Sequence, residues 1–185
     1  MNKTWKQKLN YLKLPPSDDP INRAYDLCPY DKVKVVLIGD KLCKDHNGLV
    51  FSTHPKAEIN AQQNIIFREY RRDLGYDYPR TGDLTVWANE GILLLPCNGY
   101  ELLVFRTLRT LSLFKHNIVY ILWGADARRL QAAIDPTSNK IISCKLPSTL
   151  NRLKGNDDFP GHSPFTETNL YLEEHNIKPI NWKLR

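Results

Sequence analysis

Apolar residues fall along this chain in two rhythms. In the first they run together: Val33-Lys34-Val35-Val36-Leu37-Ile38, then Ile92-Leu93-Leu94-Leu95, then Ile118-Val119-Tyr120-Ile121-Leu122 within a segment from Asn117 to Trp123. Runs of this length, stopped at Gly39, Pro96 and Gly124, predict strands buried on both faces. Ile141-Ile142 opens a fourth strand that ends at Leu146-Pro147. In the second rhythm apolar residues recur every three or four positions. Ile65, Ile66, Phe67 and Tyr70 predict a helix over 61–73, closed by Gly75 and Pro79. Further helices follow over 100–114, from Ala125 to Ile134 before Pro136, and from Phe165 to His175. Near the start, Trp5, Leu9 and Leu12 make one helical stripe that Pro15 and Pro16 end, and Asp19-Pro20 starts a short helix. Asn47-Gly48 reads as a turn, Leu49 to Phe51 as a short extended piece, and Val86-Trp87-Ala88 as the start of a compact region.

Strands alternating with helices of this length define an α/β fold with a central four-stranded, mainly parallel sheet flanked by helices. The chain has no internal repeat, low-complexity tract or linker, so residues 1–185 are expected to form one domain, with 1–16 a basic amino-terminal helical segment. In such sheets ligands sit beyond the carboxyl ends of the strands. That rule selects residues 39–53, 96–99, 124–128 and 146–155 as the place for chemistry.

Charge and cysteines narrow the classes. Twenty-six Lys plus Arg against twenty Asp plus Glu leave +6, a mild excess that permits nucleic-acid binding without requiring it. Cys28, Cys43, Cys97 and Cys144 are widely spaced, with no CxxC, and predict free thiols in a reducing, intracellular compartment: cytoplasmic in a prokaryote, nuclear or host-cell otherwise. Met1–Asn10 is polar and lysine-rich, unlike a signal peptide, and no window is apolar enough to span a bilayer. His46, His54, His116, His162 and His175 form no metal-ligand spacing, so neither a metal nor a cofactor is expected.

The segments between these elements resemble a known family. Ala24-Tyr25-Asp26-Leu27-Cys28-Pro29-Tyr30-Asp31-Lys32-Val33 through Gly39, Asn47-Gly48-Leu49-Val50-Phe51-Ser52, Gly82-Asp83-Leu84, Trp87-Ala88-Asn89-Glu90-Gly91, Leu122-Trp123-Gly124-Ala125, Phe165-Thr166-Glu167-Thr168-Asn169 and Pro179-Ile180-Asn181-Trp182 together resemble the family 1 uracil-DNA glycosylases. The resemblance covers nearly the whole chain and implies that family's fold. It also implies base flipping, with cleavage of a glycosidic bond by a carboxylate beside the sugar, a histidine on the departing base, an asparagine reading the base edge, an aromatic stacking on it and a leucine filling the duplex.

The departures cluster in those same places. Asp40-Lys41-Leu42-Cys43-Lys44 stands where the family has Gln-Asp-Pro-Tyr-His, so the carboxylate position falls on Lys41. Pro96 takes the place of the base-reading asparagine, and Leu146 that of the histidine in the His-Pro-Ser-Pro-Leu motif. A lysine has the wrong charge for an oxocarbenium-like sugar, and neither proline nor leucine can donate to a base. The loop between the leucine strand and the next helix is also shortened.

What the resemblance retains faces DNA. Phe51 matches the stacking aromatic, and is more readily read as core; Ser148 and Leu150 match the phosphate-contacting and inserting motif; Lys41, Lys44, Lys145, Arg152 and Lys154 are candidate phosphate contacts. The expectation is a catalytically inactive homologue that serves as a DNA-binding module or as an adaptor or decoy. Its partner would be a replication protein or a protein inhibitor of glycosylases. The alternative is a divergent glycosylase for uracil, a modified uracil or another base, in which Asp40 or Asp45 supplies the carboxylate. A Lys41 amine nucleophile, or a Cys43 thiolate favoured by Lys41 and Lys44, is a weaker alternative.

Overall fold

The computed structural model describes residues 1–148, 159 and 161–184. Four strands, β1 (Val35–Gly39), β2 (Ile92–Pro96), β3 (Val119–Trp123) and β4 (Lys140–Cys144), form a fully parallel sheet in the order β2-β1-β3-β4. Every residue of β1, β2 and β3 is buried. That is why their sequences are continuous apolar runs: side chains on both faces need cover. β4 lies at an edge and is only half buried, which explains its mixed composition.

Around the sheet lie α1 (Lys3–Lys8), α2 (Asn22–Leu27), α3 (Ala61–Leu74), α4 (Thr85–Asn89), α5 (Glu101–Phe114), α6 (Ala125–Arg129) and α7 (Pro164–Glu174). α1, α2 and α5 are joined by buried polar contacts: Trp5 Nε1 donates to the Cys28 carbonyl at 2.8 Å, and the Tyr25 and Thr107 hydroxyls meet at 2.9 Å. A second group is aromatic. Trp87 of α4, Phe165 of α7 and Trp182 have ring centroids 4.9–5.7 Å apart, and Trp87 Nε1 donates to the Trp182 carbonyl at 2.8 Å. Edge-on rings of this kind add about 0.5–1.5 kcal/mol per pair beyond burial.

Several boundaries differ from the sequence expectation. The first helix stops at Lys8: Leu9 and Leu12 still face the core, but in a turn that leads to Pro15. Leu49–Phe51 is a turn, not an extended piece, because Gly48 (φ 88) and Phe51 (φ 60) both take left-handed backbone. The helix expected over 125–134 ends at Arg129, and residues 130–133 tighten into a 3-10 turn. Pro96 is the last residue of β2 instead of a stop; β2 is an edge strand, where a missing N–H costs least. β4 ends at Cys144, before Leu146-Pro147. Among the described residues no helix is long and apolar enough to cross a membrane.

Candidate active site at the carboxyl ends of the strands

The chain leaves β1 at Gly39 because nothing larger fits there. A Cβ on Gly39 would fall inside the Phe51 ring. That ring is 2% exposed and lies 5.2 Å from Trp123 at the end of β3, which in turn meets Phe159 edge-on at 4.7 Å. Phe51 therefore fills space beneath the strand ends as part of the core. Gln63 fixes this arrangement. The pair Asn60 and Gln63 forms a reciprocal cap at the start of α3, and Gln63 Nε2 donates to the carbonyls of Phe51 (2.9 Å) and Gly82 (2.8 Å). The Trp123 indole N–H is buried with no acceptor among the described residues.

Beyond Gly39, Lys41 and Lys44 are exposed. Asp40 is half-buried and is the one acid of this loop held against a neighbouring strand end. Its carbonyl accepts from the N–H groups of Cys97 (3.0 Å) and Asn98 (2.8 Å), and its carboxylate accepts from the Asn98 side-chain amide. Burial, followed by the charges of Asp126 and Asp40, pushes the Cys97 thiol up to about 11. Two carboxylates thus flank that corner. Asp45 lies apart: its side chain is exposed, and its carbonyl accepts from the His54 N–H at 3.0 Å. His46 Nδ1 accepts from the Gly48 N–H at 3.1 Å. Cys43 is half-buried with its Sγ 3.5 Å from the Ser52 carbonyl, and burial raises its pKa. This is the reverse of the thiolate that Lys41 and Lys44 were expected to favour: burial dominates, and Lys41 and Lys44 are exposed.

At the far side of the sheet, Leu146 is half-buried and packs over the Gly124 backbone. Pro96 is buried. Lys145, Leu146 and Ser148 are each engaged with neighbours, and the Pro147 carbonyl accepts from Gln62 Nε2 at 3.2 Å. Leu150, Arg152 and Lys154 lie outside the described residues. Four residues, 97–100, join β2 to α5, in agreement with the shortened loop. The chain after that region is anchored by Glu69 of α3. This buried carboxylate pairs with Arg72 at 2.6 Å and accepts from the N–H groups of Gly161 (2.9 Å) and Ser163 (3.1 Å). Burial works against its charge, but the Arg72 hydrogen bond and the two backbone donors outweigh burial and hold its pKa below the ordinary range. Asp73, one turn on, accepts from the N–H groups of Phe165 (2.9 Å) and Thr166 (3.1 Å) at the start of α7.

Of the residues singled out in the sequence, the structure brings Asp40, Phe51, Pro96 and Leu146 to the strand ends and leaves Asp45 outside. Sequence reasoning missed Asn98, Asp126, Gln63 and Glu69. Only Gln63 carried a local signal, the Asn-x-x-Gln spacing of a helix start. Among the described residues no group of three His, Cys, Asp or Glu side chains is placed to hold a metal ion.

The parallel four-stranded sheet flanked by helices matches the fold of solved uracil-DNA glycosylases. The structure of mimivirus uracil-DNA glycosylase superposes with a TM-score of 0.77 at 21% identity, covering 92% of this chain and 75% of that one. A mimivirus UNG variant in complex with UGI gives a TM-score of 0.78 at 21% identity, over 87% of this chain and 73% of that one. Sequence relatives are nearer. The uracil-DNA glycosylase of Phocaeicola vulgatus is 36% identical over 179 residues, 88% of this chain and 80% of the relative. Uracil-DNA glycosylase 2 of Bacteroides fragilis is 35% identical over 189 residues, 93% of this chain and 84% of the relative. No protein-family model matches the chain. The chain belongs to the uracil-DNA glycosylase family.

Proposed function

We propose that this chain works on DNA, as a divergent member of its family in which uracil excision is lost or severely reduced. The observation that carries the loss is the residue set at the strand ends: exposed Lys41, buried Pro96 and half-buried Leu146 stand where the family resemblance puts the carboxylate, the base-reading amide and the histidine. Each strong charge-stabilising group removed from an active site costs about 2.7–4 kcal/mol, though such losses do not add in full. Two of them missing together imply uracil excision down by about 10²–10⁴-fold against the family's enzymes. On this reading the surviving function is DNA binding, with Lys41, Lys44, Lys145 and Ser148 at the strand ends and Leu150, Arg152 and Lys154 in the adjoining sequence, or adaptor and decoy contacts made by the same surface. The mimivirus UNG variant was solved bound to the inhibitor UGI, which motivates an inhibitor as a decoy partner.

A second reading has its own support. The relatives at 33–36% identity are named uracil-DNA glycosylase, which favours retained base excision over an inert protein. Asp40 gives that reading a chemical basis: a half-buried carboxylate at the end of β1, paired with the Asn98 amide, one residue from the family's acid. Losing the aromatic that blocks larger bases, now Cys43, would open the choice to modified uracils or other bases.

A single-turnover glycosylase assay over uracil, modified uracils and abasic DNA, with Asp40→Ala alongside, separates the two. Base release that Asp40→Ala abolishes establishes the divergent glycosylase and ends the noncatalytic reading. No release, together with DNA affinity that falls steeply with salt, establishes the binding protein. No release and no DNA affinity at low salt removes both and leaves the adaptor role.

A further inference from the structure

Seven large apolar side chains are exposed among the described residues, and three of them belong to α5: Leu102 (65%), Leu113 (59%) and Phe114 (68%). Tyr11, 57% exposed, lies against the same helix through a 2.9 Å hydrogen bond between its hydroxyl and that of Thr110. Leu102, Arg106, Arg109 and Leu113 follow the spacing of one helical face, so they form a single stripe along about three turns. Arg106 and Arg109 are exposed, and neither pairs with a carboxylate among the described residues. At the amino-terminal end of the stripe a groove of about 390 Å³ opens between residues 12–16 and 99–103, with Leu12, Leu14 and Leu103 in its walls beside Lys13, Asp19 and Glu101.

We propose that this face of α5 is a docking surface for an acidic amphipathic helix of a partner protein, with one bulky apolar side chain of that helix seated in the groove. Three of the seven exposed large apolar side chains among the described residues gather on this one helix, beside a groove with leucine walls, and such clustering marks a contact site. Charge selects the occupant. Two guanidinium groups without a carboxylate partner among the described residues, flanked by leucines, match carboxylates flanked by apolar side chains. Two cations along about 15 Å of helix are a poor match for duplex DNA, which carries one charge per about 1.7 Å, and leucines offer phosphates nothing. A second copy of this chain fits worse, because a two-fold interface would set the arginine stripe against itself. The proposal does not rest on the base-excision reading.

The test is fluorescence anisotropy of a labelled synthetic peptide of about 18 residues that carries leucines, one tryptophan near an end and glutamates between them on a single helical face. A scrambled peptide of the same composition is the control. Saturable binding is expected. It should be about tenfold weaker for the scrambled peptide and for the double variant Leu102→Ser, Leu113→Ser, and a few-fold weaker for Arg106→Glu. These side chains are exposed, so thermal denaturation of the variants should match the parent. Absent binding, equal affinity for the scrambled peptide, or indifference to the leucine changes overturns the proposal. So does single-stranded DNA that displaces the peptide and loses its own binding only with Arg106→Glu. Concentration-dependent dimerisation that the leucine changes abolish assigns the face to a second copy and overturns it too.

Discussion

Inside the sheet and just beyond it, the same strands obey different rules. Residues 35–38, 92–95 and 119–122 need only be apolar, roughly the right size and β-forming, and their burial is complete. Within three residues of the strand ends, at Asp40, Lys41, Pro96 and Leu146, volume counts for less than charge and donor capacity. The framework can therefore persist through sequence change that alters the chemistry of the site. The difference teaches that fold and activity are held by separate sets of residues, even when those sets are neighbours in the chain.

The comparison predicts a graded series. Trp87→Ala removes a fully buried ring from the aromatic group and should cost about 3–5 kcal/mol by denaturant unfolding. A loss under about 1 kcal/mol would show that the framework is not the sensitive half. Gly39→Ala stands on the boundary, where an added methyl meets the Phe51 ring; it should cost about 1–3 kcal/mol, and Phe51→Leu in the same chain should recover part of it. Glu69→Gln keeps the shape but removes the charge that Arg72, Gly161 and Ser163 share, for about 1–3 kcal/mol at neutral pH. The sign of its pH dependence follows from the depressed pKa of Glu69. Its stabilisation is fully present above the ordinary glutamate range and is lost as pH falls through the lower folded-state value. Stability of Glu69→Gln should therefore fall less steeply on the acid side than that of the parent, measured by thermal denaturation across that range. Smallest of all, Lys41→Ala should alter stability by less than about 0.5 kcal/mol, since this exposed side chain is packed against no core.

The sheet was legible in the sequence because continuous apolar runs bounded by glycine or proline have few other uses, and their alternation with helices leaves a parallel arrangement. Helix α3 was legible to within a residue, from its period and Gly75. The turn at Leu49–Phe51 was not, because its backbone is decided by Gln63, which lies twelve residues from Phe51 and donates to its carbonyl. The Asp40–Asn98 pair was invisible for a similar reason: 58 positions separate the two, and only the β1–β2 register brings them together. Glu69 read as one more polar residue on a helix, whereas its carboxylate serves two backbone donors more than ninety positions away. Pairings across such distances leave no periodic trace.

Gln62 and Glu69 sit about 10 Å apart on α3, and between them they hold the chain at Pro147 on one side and at Gly161 and Ser163 on the other. One helix thus fixes both points at which the chain leaves and rejoins this edge of the sheet. Closing a chain between two fixed points costs only about 0.6 kcal/mol more for each doubling of its length. A change of length between the two points is therefore a small expense beside the loss of either anchor.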